Sequence, residues 1–369
     1  MEQLFKVLHL IPTLEGGGAE RQLAMLAREQ ASLGYEVHIG LRRRDGVYAI
    51  LLLDARVVIH ELGDLSSLDP RLLLSINSLV RKINPNVIQT WLPQMDIAGG
   101  LVALYNLVPL VTTERASRLA FKRFNLITWL RRFVGAHANA IVANSTAGAE
   151  YWRDILSTKI LLKKISNAVD VNEIRSAELL DSSKLFHANE KVFLVVGRLN
   201  HQKAVEVVLH AISMLPKHEN LKLLIVGDGP ENKNLQELIV TLNILDNVVM
   251  LPFQANWWGL LKYAVGLISM SRFEGNPNVV LEAMAAGCPL IVSDIPEHRE
   301  ILSEQSAIFV PVENSHCLKN EIKNLLADPL SAQIRANQAA KYVDRFTIEL
   351  TASAYEKVYH RICCGDRGF

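Results

Sequence analysis

The chain has 369 residues, half of them apolar, with 39 basic and 38 acidic side chains and a net charge of +1. That length exceeds one compact domain and makes two the default, while the balanced charge excludes the global field of a nucleic-acid binder, so no nucleic-acid partner is expected. Cys288, Cys317, Cys363 and Cys364 show neither metal-ligand spacing nor a disulfide framework, and with no leader pattern and no apolar run of membrane-spanning length the expected location is the cytoplasm.

Residues 5–11 form a short apolar run that ends at Pro12; Gly16, Gly17 and Gly18 follow, and residues 19–33 carry helical periodicity up to Gly34. This reads as strand, glycine loop, helix. Further buried strands are expected at residues 37–41, 57–60, 87–90, 110–113 and 140–144, each separated by a helical stretch. A second series follows the polar segment 171–190, at residues 192–196, 221–226, 248–251, 265–269 and 290–293. Such alternation predicts parallel, doubly wound sheets in an α/β chain with two Rossmann-like domains. The expected division is residues 1–170, a linker at 171–190, and a second domain at 191–345. A final helix over residues 331–362 is long enough for residues 346–369 to cross back to the first domain. Two such domains would face a cleft at the carboxyl ends of their sheets, where ligands of open α/β sheets bind.

The strand at residues 192–196 runs into Gly197, Arg198, Leu199, Asn200, His201, Gln202 and Lys203. Arg198 can fork onto phosphate oxygens and Lys203 can supply a point charge, a reading that their place at a strand end favours over that of two solvated loop cations. The next strand ends in Gly227-Asp228-Gly229-Pro230, a tight turn without the GxGxxG spacing of a nicotinamide site. Further on, Glu274 and Glu282 flank the turn Gly275-Asn276-Pro277, which opens a helix whose first amides lack intrahelical partners. Ionised carboxylates only accept hydrogen bonds, which suits neighbouring hydroxyls on a sugar or ribose. From the residues alone, a helix cap at Glu274 and a solvated charge at Glu282 remain equally good readings.

Taken in order and spacing, Gly197-Arg198-Leu199 with Gln202-Lys203, Gly227-Asp228-Gly229-Pro230, and Glu274-Gly275-Asn276-Pro277-Asn278 with Glu282-Ala283-Met284-Ala285 resemble glycosyltransferase family 4, the retaining GT-B nucleotide-sugar transferases. Gly17-Gly18-Ala19-Glu20-Arg21 resembles that family's opening loop, and Asn167-Ala168-Val169-Asp170 its Asn-Gly-Val-Asp linker. The resemblance implies a GT-B fold in which Arg198 and Lys203 hold the donor diphosphate, Glu274 contacts the transferred sugar and Glu282 accepts from the ribose. It extends the donor site to Gly17, Gly18, Gly197, Gly229, Phe253, Gly275, Asn276, Pro277, Asn278 and Val279, with the base near Pro252 and Phe253. The implied reaction moves a hexose or N-acetylhexosamine from a UDP-sugar to a glycan or lipid-linked acceptor with retention, the departing phosphate taking the acceptor proton. No metal and no cofactor are expected, since the chain has no Asp-x-Asp motif. Glu274 and Glu282 are not a glycosidase pair, which must flank the scissile bond. A sugar-nucleotide epimerase or phosphorylase, or a nucleotide-sugar-binding subunit without turnover, are the competing readings.

There are departures from the family. A histidine common after the strand at residues 110–113 is absent, and Thr113, Glu114 and Arg115 stand there, so Glu114, Arg115 or the backbone must serve. Ala204 and Ala168 replace glycines, the first at a helix start that should tolerate it. Between residues 114 and 133, Arg115, Arg118, Lys122, Arg123, Arg131 and Arg132 interleave with Phe121, Phe124, Ile127, Trp129, Leu130 and Phe133. This stretch reads equally as a surface for the anionic inner face of a membrane and as a cleft-lining helix with a solvated basic face. Trp91, Trp257, Trp258, His9, His60 and His137 are expected in the core.

Overall fold

The computed structural model describes residues 4–44, 46–50, 52–66, 69–115, 126–156, 160–181, 185–216 and 220–364. The chain divides into two compact units, Met1–Ala168 with Ile348–Phe369, and Val169–Thr347.

The first unit alternates strands and helices: β1 (Lys6–Leu10), α1 (Gly18–Ser32), β2 (Glu36–Leu41), α2 (Val47–Ile50), β3 (Val58–Glu61), α3 (Pro70–Ile83), β4 (Val87–Trp91), α4 (Leu92–Tyr105), β5 (Leu110–Glu114), α5 (Leu126–Gly135), β6 (Ala140–Ala143), α6 (Thr146–Arg153) and β7 (Leu161–Lys164). Its strands form a parallel sheet in the order β3-β2-β1-β4-β5-β6-β7, with Val7 opposite both Val37 and Val87. Helices cover both faces, so central strands read as unbroken apolar or small runs; all five residues of β4 are buried. Local signals set the helix ends: Asp69 caps α3 by accepting from the Arg71 amide, Pro70 occupies its first turn, and Asn84 closes it in the left-handed conformation.

The second unit contains α7 (Val171–Ser176), β8 (Lys191–Val196), α8 (Val205–Ser213), β9 (Leu221–Val226), α9 (Asn232–Thr241), β10 (Val248–Leu251), β11 (Ala264–Ser269), α10 (Asn278–Ala285), β12 (Leu290–Ser293), α11 (Pro296–Arg299), β13 (Ile308–Val310), α12 (Ser315–Ala327) and α13 (Pro329–Tyr342). The sheet order is β10-β9-β8-β11-β12-β13, again parallel. One core, around Leu194, Leu224, Leu281 and Met284, lies on one face of this sheet; the other, around Phe193, Leu223, Val208 and Ile322, lies on the opposite face, as strand alternation requires. In both units the order reverses direction beside the first strand, between β1 and β4 and between β8 and β11. Those reversals are where open α/β sheets offer a crevice.

The chain then returns to the first unit as α14 (Ile348–Cys364), which buries Tyr355 and Tyr359 in the core formed with α1. The long final helix expected from sequence is therefore broken: α13 ends at Tyr342, a short 3-10 turn buries Val343 and Phe346, and Thr347 is extended. At this passage the Val169 amide donates to the Phe346 carbonyl at 2.8 Å. Helix α7 occupies the start of the segment expected as linker, and β7 and β13 are short edge strands that the sequence pattern did not reveal. No described helix is long and apolar enough to cross a membrane.

Candidate functional site

At the reversal point of the second unit, the loops after β8 and β9 are stacked backbone on backbone. The Gly197 amide donates to the Val226 carbonyl at 3.0 Å and the Leu199 amide to the Asp228 carbonyl at 2.8 Å. A β-carbon on Gly227 would sit 2.0 Å from the Gly197 oxygen, and one on Gly229 would sit 2.2 Å from the Leu199 oxygen. These glycines thus have a packing reason for their identity, independent of any ligand. Gly197 itself has φ of 143°, which only glycine adopts readily.

This stacked platform presents Arg198 and Lys203. Arg198 is exposed, with no hydrogen bond or ion pair among the described residues. Lys203 reaches across to the loop after β11, its Nζ 2.5 Å from Glu274 Oε1. Glu274 is buried; Ser271 Oγ donates to its Oε1 at 2.7 Å and Gln202 Nε2 to its Oε2 at 3.3 Å. Burial alone would raise the Glu274 pKa, but the Lys203 charge and the hydrogen bonds from Lys203 and Ser271 hold it below its ordinary value. The carboxylate is therefore an ionised acceptor.

Arg272, which sequence reasoning passed over, locks this geometry. Its amide donates to the Gln202 carbonyl at 2.8 Å, while its guanidinium binds the His201 carbonyl, Glu206 at 2.6 Å and Glu313 at 2.6 Å. Ala204, expected to be an easy replacement at a helix start, lies instead at φ 49° and ψ 42°, the left-handed region where a β-carbon is strained. A glycine would fit there without that strain.

Helix α10 begins beside Glu274 with Pro277 at its N-cap, whose own side chain makes no capping bond. Gly275, Asn276 and Pro277 are buried, while Asn278 and Val279 are half-buried at the first turn. Glu282, one turn on, is buried with its Oε2 accepting from the indoles of Trp257 at 2.9 Å and Trp258 at 3.1 Å. The two tryptophans are core, as expected, and they orient Glu282 rather than stand apart from it. Phe253 lies exposed just past β10, on the carboxyl edge of the same sheet.

In the first unit the candidate residues turn inward. The Gly16 and Gly17 amides donate to Glu20 Oε2 at 2.6 and 2.5 Å, and Thr13 Oγ1 donates to Glu20 Oε1. The start of α1, with Gly17 as its N-cap and Gly18 as its first residue, is thus closed by a carboxylate of its own helix. Thr113 donates to the Thr90 carbonyl at 2.8 Å. Buried Glu114 accepts from Arg131 at 2.8 Å and from the Trp152 indole at 3.0 Å. Arg115 spans Asn167 at 2.6 Å and the Tyr355 hydroxyl at 2.9 Å, over the face of Trp91. None of the three stands open as a substitute for the missing histidine.

The basic stretch needs a correction. Arg131 is buried, not on a membrane-facing surface: its Nε is 2.7 Å from Asp96 and its Nη1 2.8 Å from Glu114. Arg132 is half-buried and donates to the Tyr151 hydroxyl at 3.1 Å. Residues 116–125, including Arg118, Phe121, Lys122, Arg123 and Phe124, lie outside the described residues. What α5 does expose is apolar, namely Leu126, Ile127, Trp129 and Phe133. Among the histidines expected in the core, His9 is buried, with burial pushing its pKa down to about 4; His60 is half-buried, and His137 is exposed.

Two family models match the chain: the one for "Glycosyltransferase Family 4" over residues 16–173, and the one for "Glycosyl transferases group 1" over residues 177–343. An uncharacterized glycosyltransferase of Methanocaldococcus jannaschii is 34% identical, over 40% of this chain and only 37% of its own length. The N-acetylgalactosamine-N,N'-diacetylbacillosaminyl-diphospho-undecaprenol 4-alpha-N-acetylgalactosaminyltransferase of Campylobacter jejuni is 26% identical over 94% of this chain and 97% of that protein. Among solved structures, Anabaena HepE in complex with UDP-glucose superposes with a TM-score of 0.84 at 20% identity, over 95% of this chain and 98% of that one, a likeness of fold. The architecture is GT-B, two Rossmann-like α/β units.

Proposed function

We propose, from the premise that this chain belongs to the glycosyltransferases of group 1 and family 4, that it transfers a hexose or N-acetylhexosamine from a UDP-sugar to a glycan or lipid-linked acceptor with retention. The observation that carries the reading is the constellation at the β8/β11 reversal: exposed Arg198, the Lys203–Glu274 pair, and the α10 start beside it.

Each part has a chemical task. When the bond from the anomeric carbon to phosphate breaks, negative charge grows on the diphosphate. Arg198 and Lys203 stabilise it, and the first amides of α10 add the positive end of a helix dipole. Glu274, ionised and buried, accepts from hydroxyls of the sugar, while Glu282, oriented by two indoles, accepts from the ribose. Phe253 offers an exposed ring for the base. This chemistry requires no metal. In this reading the departing phosphate is the base that receives the acceptor proton, as the family resemblance implies. The apolar face of α5 is suited to a membrane surface carrying a lipid-linked acceptor. A nucleotide-sugar-binding subunit without turnover is the second reading, and the same internal bonding of residues 113–115 is what favours it.

The test is a screen of nucleotide sugars for UDP release, with acceptors in solution and in anionic vesicles, in buffer containing EDTA. The expected result is release dependent on an acceptor and indifferent to EDTA, with Lys203→Ala and Arg198→Ala each slower by about 100-fold. Conversion of the sugar nucleotide without an acceptor and without net UDP release points to an epimerase instead, and donor binding without turnover points to the binding subunit.

A further inference from the structure

Behind Glu274 lies a chain of polar groups that the donor site does not itself use. Ser271, Ser293 and His298 are all completely buried, among core residues where an apolar side chain would fill the space as well. His298 Nδ1 is 2.7 Å from the Ser293 carbonyl, so that nitrogen carries the proton and donates. Ser293 Oγ donates to the Ser271 carbonyl at 2.6 Å, and Ser271 Oγ donates to Glu274 Oε1 at 2.7 Å. Every donor is committed in one direction, from α11 through the end of β12 to the loop after β11.

We infer that Ser271, Ser293 and His298 form a positioning relay that holds the Glu274 carboxylate in place beside Lys203, an inference that rests on the donor-site reading above. The strands β11 and β12 are paired up to Ser269 and Val292, and the relay continues that register past the last backbone bonds, where the sheet no longer dictates loop geometry. His298 is buried facing Glu274, Lys203 and Asp294, and burial pushes its pKa below the ordinary imidazole value. Its Nε2 has no partner among the described residues, an exposed lone pair in chemical terms but not to solvent. A carboxylate meant to read one hydroxyl needs its oxygens fixed to a fraction of an ångström, which the long side chains of Lys203 and Gln202 do less well than a buried serine.

The experiment compares wild type with Ser271→Ala, Ser293→Ala, His298→Phe and His298→Asn. In the UDP-release assay the two serine variants and His298→Phe should lose about tenfold in kcat/KM for the donor, while UDP as a product inhibitor binds within about twofold of wild type. His298→Asn keeps a side-chain N–H for the Ser293 carbonyl and should recover most of the loss. Wild-type turnover in Ser271→Ala or in Ser293→Ala, or a parallel loss of UDP affinity, overturns the relay. A second measurement needs no substrate: with 13C-labelled glutamate, the Glu274 carboxyl, assigned by its disappearance in Glu274→Gln, should titrate at higher pH in Ser271→Ala. An unmoved titration overturns the relay too. Wild-type protein that releases no UDP from any sugar nucleotide defeats the functional reading, and the carboxyl titration still decides the relay.

Discussion

The two units share a strand order and reverse it at the same place, yet they treat charge at that place in opposite ways. In the second unit, Arg198 is exposed and Lys203 is anchored by a carboxylate whose own orientation is fixed from behind. In the first, the glycine-loop amides are closed by Glu20, and Asp96, Glu114 and Arg131 are folded into a buried cluster. The same scaffold thus supports either a site or a brace. What separates them is the cation's partner: Arg131 lies against Asp96 and Glu114, whereas Arg198 has no ion pair among the described residues.

The strongest way to break this contrast is to remove the brace. Arg131→Ala strands Asp96 and Glu114 in the interior and should destabilise the first unit by about 3–5 kcal/mol, seen as an early transition in urea unfolding followed by tryptophan fluorescence. Loss below about 1 kcal/mol, the scale of a surface pair, would mean the cluster is not a brace. A smaller intervention converts the first unit's loop to resemble the second's. Glu20→Ala should cost about 1–2 kcal/mol by freeing the Gly16 and Gly17 amides, and inorganic phosphate should restore part of that stability in the variant but not in wild type. The smallest change sharpens the second unit itself. Ala204→Gly relieves the left-handed backbone after Lys203 and should leave turnover intact while raising stability by up to about 1 kcal/mol; a drop in stability would show that the alanine methyl packs better than its backbone strains.

Much of this was legible in the sequence because it is local. Buried parallel strands such as Val192–Val196 are continuous apolar runs, and cations at 198 and 203 follow one of them directly. The turn at Gly275-Asn276-Pro277 likewise announces a helix start. What could not be read depends on partners distant in the chain. Arg131 looked like one arginine in a basic surface stretch, and only folding brings it to Asp96, 35 residues away. The relay of Ser271, Ser293 and His298 has no pattern at all along the chain. Edge strand β13 escaped because it has only three residues, and β7 because its second half is a pair of exposed lysines that ends the apolar run. The break after Tyr342 was hidden by Val343 and Phe346, which continue the apolar pattern of the helix while burying themselves in a different way.

The return of α14 to the first unit makes that unit discontinuous, and this has a consequence for the order of events during synthesis. The second unit is one uninterrupted segment, whereas the first waits for its last helix until all of the second has been made. Until then Arg115 lacks the Tyr355 hydroxyl, and Gln30 and Gln89 lack Tyr359. A ribosome therefore delivers the N-terminal half first but completes it last, reversing the usual sequence in which domains mature as they emerge. The half-made first unit spends that interval with an open apolar flank along α1, where a chaperone would find its substrate.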